Sequence, residues 1–372
     1  MRAVIAGGGT GGHVTPALAL GEALRAGGDT VLFAGTARGL EARLVPEAGF
    51  ELATLEARPL LGRGPLERVG ALLALARGTR AARRLLRRFA AQLVIAVGGY
   101  ASVPAALAAV SLGIPLALVN PDATAGRANR LLARFAARIF AGFPRAAEVL
   151  RRRPGDPRVV VSGVPLREAL RRAFADASAA APVRDGGVLH LFVFGGSQGA
   201  RQINDALLGA LPQLDPDGFR IVHQTGEADR ERVAAAYREA GFRAEVLAFE
   251  RDMPARYRWA HLVVCRAGAI SVAELALAGR PAILVPLAHV GGGEQFVNAG
   301  ELERAGAAVV LDSRRLRPED LARELLALAG NRARLATMGE RAASLARPDA
   351  AAEIARACRA LVAEHEERGG RA

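Results

Sequence analysis

The sequence predicts an α/β protein made of two doubly wound, parallel-stranded domains of the Rossmann-like kind. Three observations lead there. Short apolar runs alternate with Ala/Leu/Arg-rich runs of helical period along nearly the whole chain, the pattern of repeated strand–helix–strand units. The alternation breaks near residues 161–165 and restarts at Val188. The first strand of each half runs straight into a glycine cluster, at the strand end where ligands bind in such sheets.

In chain order, the first half offers strands at Ala3–Ala6, Thr30–Ala34, Leu93–Val97, Pro115–Val119 and Arg138–Ala141. Their apolar runs suit strands covered on both faces. The helix after the first strand is expected to open at Pro16, because a proline lacks only an N–H that a first turn leaves unpaired. Residues 90–121 carry no charge and are long enough to cross a membrane. Gly98, Gly99, Pro104, Gly113 and Pro115 interrupt them, so they read as strand, loop, helix and strand. The second half offers strands at Val188–Phe194, Arg220–His223, Ala244–Ala248, Leu262–Cys265, Ala282–Val285 and Ala307–Leu311. A helix over Val272–Leu277 is expected to carry Glu274 in its first turn, and a last helix runs from Asp349 to about Glu364. The expected domains are residues 1–163, residues 164–348 and a C-terminal helix and tail, 349–372, packing back on a domain. At 372 residues the chain can bury two cores of ordinary size.

Composition excludes several chemistries. All 50 basic residues are arginine, so lysine-dependent phosphate loops, Schiff bases and lysine general bases are ruled out. The formal net charge of +13 favours polyanions or an anionic membrane surface. Cys265 and Cys358 lie far apart, which suggests a reducing compartment and no disulfide framework. The chain enters a strand at once, without a charged-then-apolar leader, and a soluble protein is expected. There is no acidic metal cluster, zinc-ligand spacing or aromatic-interleaved basic patch. Neither a metal nor nucleic acid is expected as a partner.

The loop Gly7-Gly8-Gly9-Thr10-Gly11-Gly12 joins a strand to a helix start. Such a junction gathers backbone N–H groups and the positive end of a helix dipole at one point, which binds phosphate. His13 at its rim adds a group for acid–base chemistry. The spacing Gly7-x-Gly9-x-x-Gly12 also fits a dinucleotide fingerprint, but that pattern needs an acid closing the second strand. The first acid after that strand is Glu41, well past its end, and a nicotinamide or flavin enzyme is not favoured. The second half repeats the device at Gly195-Gly196-Ser197-Gln198-Gly199-Ala200 and again at Cys265-Arg266-Ala267-Gly268-Ala269-Ile270-Ser271. Several such loops on two domains point to a ligand site in the cleft between them.

These loops, with Gly98-Gly99-Tyr100, Gly163-Val164-Pro165-Leu166-Arg167, Gln295-Phe296-Val297-Asn298-Ala299 and Pro348-Asp349-Ala350, closely resemble the MurG family of bacterial GT-B glycosyltransferases. The matches run in order from residue 3 to about residue 355. The resemblance implies inverting, metal-independent and cofactor-free transfer of N-acetylglucosamine from UDP-GlcNAc to the 4-hydroxyl of the MurNAc of lipid I, giving lipid II for peptidoglycan. It implies that Arg167 and Ser197 contact the donor diphosphate, and that Ala269, Ile270, Ser271, Val272 and Ala273 present a helix N-terminus to it. Glu274 would accept from the ribose hydroxyls, Gln295 would read the sugar, and the segment around Glu250 would hold the uracil. Thr10, Gly11, Gly12 and Asp122 would border the donor, while the loops Thr10 to His13 and Gly98 to Ser102, with Gly98, Gly99 and Tyr100, would face the acceptor and its own diphosphate. Peripheral attachment to the cytoplasmic face of the plasma membrane follows from the lipid-linked acceptor.

One segment departs from the family. Where MurG relatives usually carry His-Glu-Gln-Asn, this chain has Val119-Asn120-Pro121-Asp122. Asn120 cannot usefully accept a proton, which leaves His13 and Asp122 as candidates for the base. Two alternatives stay open: a UDP-sugar transferase with another acceptor, and a relative that binds the nucleotide sugar without transferring it. The stretch 60–89 combines Leu60, Leu61, Leu66, Leu72 and Leu73 with Arg80, Arg83, Arg84, Arg87 and Arg88. It reads either as a membrane-facing amphipathic helix or as a helix with a solvated basic side.

Overall fold

A computed structural model describes residues 1–58, 65–175, 187–196, 199–288 and 293–369. The chain divides into two compact units, Met1–Glu168 with Arg347–Ala372, and Ala169–Ala346.

In the first unit, β1 (Arg2–Gly7), β2 (Thr30–Gly35), β3 (Glu51–Thr54), β4 (Leu93–Gly98), β5 (Leu116–Asn120), β6 (Arg138–Ala141) and β7 (Val159–Val161) form one sheet in the order β3-β2-β1-β4-β5-β6-β7. Every pairing is parallel. Its helices are α1 (Gly11–Ala26), α2 (Glu41–Glu47), α3 (Pro65–Phe89), α4 (Val103–Ser111), α5 (Arg127–Leu132) and α6 (Pro144–Leu150), and α7 (Glu168–Ala173) follows. Strand residues alternate between two cores. Val4 and Ala6 face a cluster with Leu86 and Ala105, whereas Ala3 and Ile5 face one with Leu18, Ile354 and Leu361. That alternation makes each strand apolar throughout.

The second unit repeats the plan. Here β8 (Leu189–Phe194), β9 (Phe219–Gln224), β10 (Ala244–Leu247), β11 (Leu262–Cys265), β12 (Ala282–Leu284) and β13 (Ala308–Val310) form a parallel sheet in the order β10-β9-β8-β11-β12-β13. Helices α8 (Arg201–Ala210), α9 (Arg230–Glu239), α10 (Met253–Trp259), α11 (Ala269–Ala278), α12 (Glu294–Arg304), α13 (Pro318–Ala329) and α14 (Arg332–Ser344) connect and cover it. The last helix, α15 (Ala350–Gly369), belongs to the first unit. Its Arg359 Nε lies 2.8 Å from Asp29 Oδ2, and Asp29 also pairs with the N-terminal amine of Met1 at 2.9 Å.

Three sequence expectations need correction. α1 begins at Gly11, with Pro16 inside it, because the extended Thr10 already caps the helix. Pro16 there forgoes one i→i−4 bond, to the Gly12 carbonyl. α11 likewise begins at Ala269, which places Glu274 in its second turn. The edge strands β3, half-exposed and without an apolar run, and β7, only three residues long beside the expected domain boundary, were not foreseen.

Candidate active site

Both sheets reverse their winding beside the first strand, between β1 and β4 in one and between β8 and β11 in the other. Ligands of doubly wound sheets bind outside the strand ends at that reversal. The glycine loops follow these strands.

In the first unit three loops converge on His13. Thr10, extended at φ −128°, caps α1, and its carbonyl accepts from the His13 and Val14 amides at 3.1 Å each. The Gly11 and Gly12 amides come before these first helical bonds, among the donors that a helix start leaves without an intrahelical partner. Thr10 Oγ1 lies 3.0 Å from His13 Nδ1. The β4–α4 loop closes over the ring. Gly98 and Gly99 have φ of +115° and +75°. A Cβ on Gly98 would lie 2.7 Å from His13 Cδ2, and one on Gly99 would lie 2.6 Å from the Gly8 carbonyl. Both positions therefore need glycine for dihedral and space alike. Tyr100, at the same loop, is 36% exposed.

The β5–α5 loop supplies Asp122. Asn120, at the end of β5 and 2% exposed, donates through Nδ2 to the Asp122 carbonyl at 2.7 Å and the Thr124 carbonyl at 3.1 Å. Its Oδ1 accepts from Asn129 Nδ2 at 2.8 Å. The amide is thus spent on shaping the turn that presents Asp122. Burial lowers the proton affinity of His13, while the charges of Asp122 and Glu41 raise it; burial prevails, and the ring's pKa lies below its ordinary value. A neutral imidazole at neutral pH is a competent proton acceptor.

In the second unit, Gly195 and Gly199 permit a turn that no side chain fits. A Cβ on Gly199 would overlap the Thr225 carbonyl, and one on Gly195 would overlap Ala200. Gln224 Nε2, from the end of β9, donates to the Gly196 carbonyl at 2.6 Å. Ser197 lies outside the described residues. At the end of β11, Arg266 donates to the Val285 carbonyl at 3.0 Å and to Gln202 Oε1 at 3.2 Å, and buried Asn298 holds the Ala267 carbonyl at 3.2 Å. The first bond of α11 joins the Val272 amide to the Gly268 carbonyl at 3.0 Å. This leaves the amides of Ala269, Ile270 and Ser271 as the outward, positive helix end; Ala273 lies within the helix.

Glu274 Oε2 accepts from the Tyr257 hydroxyl at 2.9 Å. Burial pushes the Glu274 carboxyl up to about 7, against the downward pull of that bond. Gln295 Oε1 accepts from the Leu287 amide at 2.9 Å. Glu250 is occupied locally. It accepts from the Asp252 amide at 2.7 Å and from Arg256 Nε at 2.5 Å, so it shapes the β10–α10 loop, whose Phe249 is 54% exposed. Arg167 belongs to the first unit and pairs with Glu22 at 2.6 Å. Tyr257, Gln224 and the Asn120–Asn129 clamp escaped the sequence reading, because long-range contacts define them and no local motif marks them.

Comparison with known proteins adds the family. Residues 3–141 match the glycosyltransferase family 28 N-terminal domain, and residues 190–354 match the family's C-terminal domain. A relative from Anaeromyxobacter sp. (strain Fw109-5) is 42% identical over 366 residues, 97% of this chain and 94% of its own. One from Syntrophotalea carbinolica is 42% identical over 364 residues, 96% and 98% respectively. Both are named UDP-N-acetylglucosamine–N-acetylmuramyl-(pentapeptide) pyrophosphoryl-undecaprenol N-acetylglucosamine transferase. The crystal structure of Acinetobacter baumannii MurG superposes with a TM-score of 0.78 at 31% identity, covering 96% of this chain and 99% of that one. The chain belongs to the MurG branch of glycosyltransferase family 28. The family 28 matches span both loop clusters, His13 with Gly98 and Asp122 in the N-terminal domain, and α11 with Glu274 in the C-terminal one.

Proposed function

We infer that this chain transfers N-acetylglucosamine from UDP-GlcNAc to the MurNAc 4-hydroxyl of lipid I, producing lipid II and UDP. The observation that carries the reading is 42% identity over 97% of the chain to a transferase named for that donor and acceptor. The geometry supplies a route. The open amides of α11 face the donor diphosphate, where charge develops as the anomeric C–O bond breaks and UDP leaves with the electron pair. Glu274 accepts from the ribose hydroxyls, and Gln295 reads the sugar.

The acceptor hydroxyl attacks the anomeric carbon from the opposite face and gives its proton to His13 Nε2. That role needs the tautomer in which Nδ1–H donates to Thr10 Oγ1. Asp122 stabilises the resulting imidazolium, since its charge already favours protonated His13. The amides of Gly11 and Gly12 receive the acceptor's own diphosphate. NMR of the product tests the reading. An added GlcNAc joined by a β bond from the α-linked donor supports direct displacement; an α bond or free GlcNAc contradicts it.

Donor binding should depend on pH. Only the ionised Glu274 carboxylate accepts from two ribose hydroxyls, and its pKa is near 7. Affinity for UDP-GlcNAc, whose diphosphate diester does not titrate here, should rise about tenfold from about pH 6 to about pH 8. Calorimetry across this window checks it, and Glu274→Gln should flatten the dependence.

The chain acts at the cytoplasmic face of the plasma membrane as a peripheral protein. Among the described residues no helix is long and apolar enough to cross a bilayer. On α3, Leu72 and Leu73 are each 56% exposed, and Arg80, Arg83, Arg84, Arg87 and Arg88 follow on the same helix; Leu60 and Leu61 lie outside the described residues. Apolar side chains beside arginines suit an anionic lipid surface. The double variant Leu72→Glu/Leu73→Glu should bind phosphatidylglycerol vesicles at least about tenfold more weakly in sedimentation, with transfer to a detergent-soluble acceptor retained.

A further inference from the structure

Beneath the glycine loop of the first unit lies a carboxylate whose hydrogen bonds have no part in the transfer route above. Glu41 opens α2 and is 1% exposed. Burying a carboxylate is costly unless hydrogen bonds replace its water. Glu41 has three: Oε2 accepts from the Gly9 amide at 2.8 Å, and Oε1 accepts from the Thr36 amide at 2.9 Å and the Thr36 hydroxyl at 2.7 Å. Burial pushes the carboxyl's pKa up, but these bonds more than offset it and leave the pKa below the ordinary value. The group is a buried anion at neutral pH.

Three glycines make room for it, Gly8 from the loop after β1, and Gly35 and Gly39 from the end of β2 and its connection to α2. A Cβ on Gly8 or Gly39 would overlap the Glu41 carboxylate, and one on Gly35 would lie 2.6 Å from Glu41 Cγ. None of the three has a positive φ, so space and not dihedral freedom requires glycine there. Gly9 does have a positive φ, +92°, and its amide points inward to Glu41 and not outward to a ligand. Part of what looks like a phosphate loop is thus folded around the protein's own anion. The next residue is Thr10, which caps α1 and holds His13 Nδ1, and the Gly8 carbonyl sits under Gly99.

We propose that Glu41 is a positioning residue for the transfer: it pins the Gly8–Thr10 turn through the Gly9 amide and so aims Thr10 and His13. The inference rests on the reading of His13 as the proton acceptor. The pin has a direction that a neutral group cannot copy. A glutamine side chain has one acceptor oxygen, and its NH₂ would face either the Gly9 amide or the Thr36 donors, donor against donor. Thr36→Val is the milder lesion, removing one of the three bonds and leaving the carboxylate in place.

Three proteins decide the matter: wild type, Glu41→Gln and Thr36→Val, each checked for folding by thermal unfolding. With UDP-GlcNAc and a short-chain lipid I analogue, kcat should fall about 100-fold in Glu41→Gln, the cost of a misplaced catalytic group. In Thr36→Val it should fall about fivefold, the worth of one hydrogen bond. Donor affinity should stay within about twofold in both, because a positioning loss appears in turnover and not in uniform binding. A folded Glu41→Gln with wild-type kcat overturns the proposal, as does a kcat loss matched by an equal loss of donor affinity. If Glu41→Gln does not fold, wild-type kcat in Thr36→Val overturns it. Hydrogen exchange at the Gly9 amide needs no substrate and separates this inference from the functional reading. Exchange should be slow in wild type and at least about tenfold faster in Thr36→Val or Glu41→Gln, whether or not wild type transfers sugar; equal exchange sinks the positioning role.

Discussion

Replacing His13 by alanine is expected to lower kcat for transfer by about 10²–10⁴-fold, the usual contribution of a positioned general base. The expectation follows from the way the ring is held. Thr10 fixes Nδ1 at 3.0 Å, Gly98 allows the β4–α4 loop to lie against the ring's other edge, and Asp122 and Glu41 supply negative charge. Burial keeps the ring neutral, and the two carboxylates stabilise the imidazolium that forms as the acceptor hydroxyl loses its proton. UDP-GlcNAc affinity should be little changed, since His13 is assigned to the acceptor side. His13→Asn retains a hydrogen-bonding side chain yet cannot take the proton, so it should be as slow as alanine. An asparagine variant with near wild-type turnover would assign the base to Asp122 and leave His13 as a phosphate-loop donor. Because the pKa of His13 is lowered in the free protein, the acid limb of kcat/KM for the acceptor at saturating donor should lie below pH 6.5, the ordinary imidazole value.

Glu274→Ala is expected to act on the other substrate. A hydrogen bond to a charged acceptor contributes about 1.5–3 kcal/mol, so loss of the ribose contacts should weaken UDP-GlcNAc binding about ten- to a hundredfold or more. The same change leaves the Tyr257 hydroxyl, now bonded to Glu274 at 2.9 Å, without that partner. Tyr257→Phe separates the two effects: it removes the support and keeps the carboxylate, and it should weaken binding about fivefold. Titration calorimetry with UDP-GlcNAc reads both variants. Donor affinity unchanged in Glu274→Ala would remove the residue from the site.

What the sequence disclosed and what it hid differ in kind. Strand runs such as Leu93–Val97 and Leu262–Cys265 were legible because a strand buried on both faces is apolar without interruption. Gly98 and Gly99 stood out because positive φ and close approach to His13 tolerate no side chain. The edge strand Glu51–Thr54 was not legible, since half-exposed residues at a sheet margin carry no such run. Helix starts were misread for a related reason. Thr10 and Gly268 cap their helices by backbone conformation, without a side-chain hydrogen bond, so Pro16 and Val272 looked like better first residues than they are. Glu41 was the hardest to read. Its distance from the strand end set it aside as a ribose ligand, but its contacts with Gly8 and the Gly9 amide exist only once the chain is folded. Asn120 shows the converse, a residue recognised as a departure whose structural use, clamping the turn under Asp122, came from contacts nine residues away at Asn129.

The central claim is transfer itself, and one assay addresses it most directly: radiolabelled UDP-GlcNAc, a short-chain lipid I analogue and wild-type protein with excess EDTA, followed by extraction of the lipid. The account predicts labelled lipid appearing in step with released UDP, at a rate unaffected by the chelator. Tight UDP-GlcNAc binding without labelled lipid would contradict it, as would transfer that EDTA stops and a divalent cation restores.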